Sequence, residues 1–399
     1  MKAFRLDTGT SVAPYGGPVG TLAVGGSTLA QSQAEALAEA GFTLVDAPPS
    51  GEPYLVFSDR TWFTPTLLKK MRAAGQGRLQ IKHADWLAWT GGLQDGLGEG
   101  VYELAILEGS PSLDGRPVMT LDVTFHALEL SEVHSSMKHA KAHDYVVSSS
   151  MAHQIDHWSH IVRVNKLVLA SRVEEARDDW EAAGVLGKAW RILKILWKAK
   201  SLKGWRIAQA LNEVGENVDI HPSAVVEFSV IGDGVSIGPH ALVRGSILGD
   251  GAKIDSQANV NASVIGAGAK VGRQAHINLC TLFPGAMVSA GDGHQACVFG
   301  EDAFVAWGAT MMDLSFGSSI TVERAGVGSE RVDTGLHFLG AAIGHRAKIG
   351  HGVKVGYGVS VPNDAFIVDD SPVLKDWGAA PAGEPAVVRG GRAEPKKGS

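Results

Sequence analysis

The chain has 399 residues, 45% hydrophobic and 20% charged, with a formal net charge of −6. That length exceeds one ordinary core and suits two domains, while the composition is globular and the acidity gives no reason to expect nucleic acid across the surface. Two cysteines, Cys280 and Cys297, exclude a disulfide framework, and with no apolar run of signal-peptide or bilayer length the cytoplasm is the expected compartment.

From the N-terminus, strand and helix signals alternate. Ser27 is placed to cap a helix through AEALAEA that stops at Gly41. FTLV then reads as a buried strand. PYLVFSD reads as an apolar strand that delivers Asp59 at its C-terminal end, and Thr64-Pro65 opens the next helix. VYELAILEG and PVMTLDVTFHALEL supply further strands, so residues 1–155 are expected to form an α/β sandwich.

The stretch PVGTLAVGGSTLAQSQAEALAEAG resembles the sugar-nucleotide pyrophosphorylases, which join a nucleotide to a sugar 1-phosphate. Gly9-Thr10 matches their Gly-rich loop, with Ser11 where the family has Arg, and Pro18-Val19 matches a Pro-Lys step without its Lys. The strand ending VFSD resembles the one whose Asp holds Mg²⁺, so the resemblance makes Asp59 a metal and substrate ligand if that site is retained. A triphosphate needs cationic partners, and one lost donor typically costs about 10²–10³ in rate. The expectation is a domain that keeps the fold and has lost the chemistry.

Residues 156–212 read as a helical joint. DHWSHIVRVNKLVLASRVEEA forms one helix and VLGKAWRILKILWKAKSLKGWRIAQAL a second, in which Leu186, Trp190, Leu193, Leu196 and Trp197 share one side and Lys188, Arg191, Lys194 and Lys198 the other. Docking on the first coil of the following domain is the expected role, and contact with a membrane surface through 186–206 is the alternative. His134, His139, His143, His153, His157 and His160 fit no metal spacing well and read as helix surface.

The back half is a repeat. Val214, Ile231, Leu248, Ile265, Leu282 and Phe299 recur at steps of 17, with parallel columns through Ile220, Ile237, Ile254 and through Val226, Val243, Val260, Ile277. Three short strands per unit, each turning one aliphatic side chain inward, describe stacked triangular coils, with Gly expected to supply the corner conformations. The phrases VIGDGVSIGPHALV and VIGAGAKVGRQAHI resemble the hexapeptide-repeat proteins, which implies a left-handed parallel β-helix over 213–370, followed by a tail over 371–399 whose GEPAVVR resembles a closing segment of such transferases. The register makes Ser229, Ser246, Ser263, Cys280 and Cys297 equivalent, so the two thiols are expected to be stacked neighbours filling a corner.

The order of α/β domain, helix and β-helix resembles the bifunctional N-acetylglucosamine-1-phosphate uridyltransferase/glucosamine-1-phosphate acetyltransferase family. The resemblance implies acetyl transfer from acetyl-CoA to a sugar or sugar nucleotide, with a His as general base, at a site between subunits of a homotrimer. AGDGHQACVFGEDAFVAWGA resembles the family's Asp-Gly segment and puts Asp292 and Gly293 at the substrate. His294 there falls in an inward column, which suggests a bulge or a role. TGLHFLGAAIGHRAKIG resembles the segment with the catalytic His and makes His337 the general-base candidate, with His294 the alternative. His345 and His351 fall at turns and read as solvated. Phe316 begins the next coil by counting, and residues 314–334 break the repeat as a loop expected to reach a neighbouring subunit. The rival expectation is a non-catalytic scaffold or regulator descended from such an enzyme.

Overall fold

A computed structural model of the chain describes residues 1–129, 144–291, 293–326, 328–370 and 386–395. The front half is built on a mixed six-stranded sheet in the order Thr43–Val45, Lys2–Leu6, Tyr54–Ser58, Val101–Leu107, Gly77–Gln80, Val118–Thr120. Tyr54–Ser58 is buried along its whole length, as its unbroken apolar run requires of a central strand. FTLV differs from expectation: Thr43–Val45 is an edge strand paired only to Lys2–Phe4, and Leu44 is exposed. Helix α1, Leu29–Glu39, is capped by Thr28 rather than Ser27, because Ser27 pairs with Val24 in a short hairpin. Thr28 Oγ1 accepts from the Gln31 amide at 3.2 Å while Gln31 Oε1 accepts from the Thr28 amide at 3.1 Å, a reciprocal capping box. Helix α2, Pro65–Ala74, begins as expected with Thr64 as cap and Pro65 in the first turn. Helix α3 is Ala84–Thr90.

The joint is three helices, α4 (Trp158–Ala182), α5 (Val185–Ala199) and α6 (Gly204–Ala210). The single second helix of the sequence reading is broken where Lys200 turns left-handed at φ 50°. The expected docking on the first coil is made by α6, where Ala208 and Ala210 are buried and the Ala208 carbonyl accepts from the Phe228 amide at 3.4 Å, whereas Leu186, Trp190, Leu193 and Trp197 of α5 face solvent. No helix among the described residues is long and apolar enough to cross a membrane.

The back half is a left-handed parallel β-helix. Two of its faces are eight-stranded parallel ladders and the third is five-stranded over Val225–Glu227, Leu242–Arg244, Asn259–Asn261, His276–Asn278 and Gly293–Gln295. The predicted columns lie in register in these ladders, as in Leu248↔Ile265 and Val243↔Val260. The glycines after the first column work differently from expectation. A Cβ on Gly249 would stand 2.7 Å from the Ala267 nitrogen, and on Gly266 2.6 Å from the Pro284 nitrogen, so they are required by coil-to-coil approach. The left-handed corners fall elsewhere and are taken by Gln257 and Gln274, at φ 61° and 60°, as well as by Gly251 and Gly268.

The Ser/Cys column is a hydrogen-bonded ladder as well as a filled corner. The amides of Ser246, Ser263 and Cys280 donate to the hydroxyls of Ser229, Ser246 and Ser263 at 3.2, 3.1 and 3.1 Å, and the Cys297 amide donates to Cys280 Sγ at 3.4 Å. Both thiols are free, buried and stacked, as the register required, and burial holds the Cys297 thiol protonated.

The repeat is interrupted between Phe299 and its ladder partner Ile343. Phe316 therefore begins no coil; it is exposed in the insertion. The inserted segment forms a hairpin, Thr321–Glu323 with Arg331–Asp333, that packs on the front half of its own chain: Ile320 and Val322 join the front-half core. That core continues into the first β-helix face through Phe283, Val298, Leu339 and Ala342. Tyr15 ties the two halves, donating to the Val298 carbonyl at 3.2 Å and stacking on Phe283 at 5.0 Å. Ser246→Ala leaves the buried Ser263 amide without its acceptor and is expected to destabilise the β-helix by about 1–3 kcal/mol. Denaturant unfolding followed through the β-sheet signal should show a lowered midpoint with an unchanged slope.

Candidate functional site

Asp59 lies where the sequence placed it, just past the end of Tyr54–Ser58, with its amide donating to the Leu6 carbonyl at 2.8 Å. Its backbone is pinned by Gln33, whose buried amide donates to the carbonyls of Asp59 and Thr61 at 3.0 and 2.8 Å. The Asp59 carboxylate accepts from the Thr8 hydroxyl at 2.7 Å and the Thr8 amide at 3.3 Å. Burial raises its pKa, the two Thr8 hydrogen bonds lower it, and the neighbouring Asp7 raises it again. Oxygen Oδ1 is thus occupied by protein donors, and among the described residues no group of three or more His, Cys, Asp or Glu side chains gathers to hold a metal. Between Val12 and Val19 the chain turns Tyr15 into the β-helix.

The histidines of the joint differ most from expectation. His134, His139 and His143 lie outside the described residues. His153, His157 and His160 are buried, where a helix surface had been expected. They share a polar network with Arg163: His160 Nδ1 accepts from the Asp156 amide at 3.0 Å, Arg163 donates to the Thr90 carbonyl at 2.8 Å, and His157 Nε2 lies 3.2 Å from the Glu323 carbonyl. Burial pushes His157 down to about 4 and holds His153 and His160 well below the usual imidazole range. Three neutral imidazoles thereby satisfy backbone groups where the front half, α4 and the inserted hairpin meet. This is a structural joint, formed because apolar Trp158, Ile161 and Val164 bury the start of α4 on several sides at once.

Of the β-helix candidates, His294 makes no bulge. It pairs with Ile277 in the regular ladder, is 1% exposed, and packs edge-on to Phe299 at 5.5 Å. An imidazole held there cannot reach a substrate in solvent, which removes it as the alternative base. Asp292 lies outside the described residues. His337 is half-buried at the foot of the inserted hairpin, its Nδ1 3.3 Å from the Ser315 carbonyl. The hairpin above it closes on its own front half, so the expected reach to a neighbouring subunit is replaced by an internal contact. His345 is not a solvated turn: its Nδ1 accepts from the Glu301 amide at 2.8 Å, its ring lies 5.1 Å from Tyr15, and burial lowers its pKa.

Gly293 leads to a site the sequence reading missed. On the third face the first and third residues of each strand point outward, giving one column through Asn259, His276 and Gly293 and another through Arg244, Asn261, Asn278 and Gln295. These residues line an open cleft of about 360 Å³. The amides are chained, Asn261 Nδ2 to Asn278 Oδ1 at 3.0 Å and Asn278 Nδ2 to Gln295 Oε1 at 2.8 Å. His276 is exposed beside them, and with Gly at 293 no side chain stands over its ring from the next coil. An exposed imidazole flanked by oriented amides can take a proton from a hydroxyl or amine and hold polyhydroxylated ligands. The signal lay in the outward column, which the inward repeat does not display.

An α/β half joined by helices to a hexapeptide-repeat β-helix defines the architectural class. Residues 209–312, about a quarter of the chain, match the GMPPB C-terminal domain. No curated protein matches the chain. Among solved structures, the polysialic acid O-acetyltransferase OatWY is 18% identical over 41% of this chain and 78% of that chain, at a TM-score of 0.19, a likeness too distant to bear on activity.

The imidazole network has a consequence for pH. His157 in the unfolded chain titrates near 6.5 and in the fold near 4. Between those values the unfolded state binds more protons, so stability falls as pH is lowered from about 6.5 to 4, by up to about 3 kcal/mol for this residue. Thermal unfolding across that range should show a shallower pH dependence in His157→Gln than in the parent.

Proposed function

We propose that the protein is an acyltransferase-like member of the hexapeptide-repeat proteins acting on a sugar or sugar nucleotide, with acetyl-CoA as donor, and that its front domain no longer transfers nucleotides. The observation that carries this reading is the third-face cleft, where His276 stands open to solvent among chained amides. In this reading His276 accepts the proton of the sugar hydroxyl or amine as it attacks the thioester, and Asn259 and Asn278 orient the sugar. The acetyl group passes to that oxygen or nitrogen, and the CoA thiol leaves with a proton. A homotrimer would set a neighbouring copy against the open side of the cleft and exclude water from it. His337 is the competing base.

A second reading, a non-catalytic scaffold, is favoured by Tyr15. The segment that resembles a nucleotide-gripping loop is spent on an internal contact, which is what a front domain kept for assembly would do.

Calorimetric titration of the full chain with acetyl-CoA and CoA up to millimolar concentrations separates the two. Saturable binding of both is the expected result, with binding of the acceptor sugar weakened about 10-fold by Asn278→Ala through one lost hydrogen bond. With amino- and hydroxy-sugar acceptors, His276→Ala should then retain binding and lose CoA release. The same loss in His337→Ala alone would move the base there, and absence of any binding would leave the scaffold.

A further inference from the structure

Helix α5 faces the opposite way from an ordinary surface helix. The side turned to the protein mixes Lys188 and Arg191 with Ile195, Leu196 and the buried Ala199: Arg191 pairs with Asp179 at 3.3 Å, Lys188 lies 5.8 Å from the Trp180 ring, and at its edge Lys198 donates to the Asn212 carbonyl at 2.8 Å. The apolar stripe is turned away. Leu186, Trp190, Leu193 and Trp197 follow one another at helical spacing, and Leu186, Trp190 and Trp197 are 87%, 67% and 79% exposed. The apolar surface continues past the helix through Leu202, 82% exposed, and Trp205. Leu211, directly after α6, lines an apolar groove of about 640 Å³ with Val173 and Phe228.

The charge of the segment selects its partner. Lys188, Arg191, Lys194, Lys198, Lys200, Lys203 and Arg206 lie in a stretch without a single acid, in a chain whose net charge is −6. Two copies meeting through this stripe would bring Lys194, Lys200 and Lys203 of one copy toward those of the other. An anionic lipid surface meets both features at once: indole rings sit at the headgroup boundary, aliphatic side chains enter it, and Lys194, Lys200 and Lys203 reach back to lipid phosphates and carboxylates.

We propose that residues 185–206 lie in the plane of an anionic bilayer surface and hold the protein there as a peripheral membrane protein. With only one short helix involved, the attachment is reversible and weakens with salt.

Co-sedimentation of the full chain with vesicles tests this. Binding is expected to phosphatidylcholine vesicles containing phosphatidylserine, at least 10-fold weaker to phosphatidylcholine alone, and reduced as salt is raised. Trp190→Ser with Trp197→Ser should reduce binding at least 10-fold, and so should Lys194→Glu with Lys203→Glu. The thermal transition should be unchanged in both, since these side chains face solvent. No binding to the anionic vesicles, or binding that neither pair of substitutions reduces, would overturn the proposal. Self-association in light scattering that the Trp pair abolishes, without vesicle binding, would overturn it in favour of a second copy.

Discussion

The close approach of successive coils governs the β-helix half. Each coil donates its amides to the carbonyls of the next, as in Gly249 to Ile265 at 2.7 Å and Gly266 to Leu282 at 2.8 Å. At that separation a side chain on Gly249 or Gly266 would strike the backbone above it. The 17-residue step follows, because a slip of one residue would turn an inward aliphatic outward and put a Cβ where the glycine must be. Even His294 obeys it, taking the inward position above Ile277. A ladder this tightly registered leaves only the outward side chains free to vary, so the outward side chains carry the differences between faces.

The first face shows what that freedom does. Its outward column reads Ile247, Val264, Thr281, Val298 and Ala342, all buried, because the front half and α4 lie on it. Asn165 of α4 donates to Thr281 Oγ1 at 2.8 Å, and Tyr15 closes the same contact nearer the end of the stack. The third-face column is instead Asn261, Asn278 and Gln295, amides that hydrogen-bond to one another and stay partly wet. Buried, largely apolar outward residues thus mark the face used for assembly, and polar ones mark a face left open to solvent.

The inward periodicity and the Ser/Cys register were legible because both repeat at a fixed step, and so was Asp59 because a central strand ends where its apolar run ends. The outward columns were equally present in the sequence but do not advertise themselves by hydrophobicity, so His276 passed unnoticed while His294 and His337 drew attention through short likenesses. The buried imidazoles were misread for a related reason. A pattern such as His153, His157, His160 looks polar on a helical wheel, and only the convergence of strand Ala152–Gln154, α4 and the hairpin carbonyl at Glu323 makes it interior. Likewise the insertion after Phe299 looked like a reach toward another subunit, since nothing local shows that Ile320 and Val322 have a core of their own chain to enter.

Taken together, these contacts separate the functions of the three sides. Docking on the first face uses Tyr15 of the segment between Val12 and Val19, and the inserted hairpin joins the same core. Tyr15 packs there against Phe283 and His345, with ring centroids at 5.0 and 5.1 Å. The joint that results is buried at the start of α4, where Arg163 and three neutral imidazoles share hydrogen bonds, and bare at α5, where four large apolar side chains meet water. That contrast argues against leftover linker for α5. A segment kept only to connect two domains could turn its apolar stripe inward at no cost to connectivity, whereas α5 leaves Leu186, Trp190, Leu193 and Trp197 free for something outside the chain.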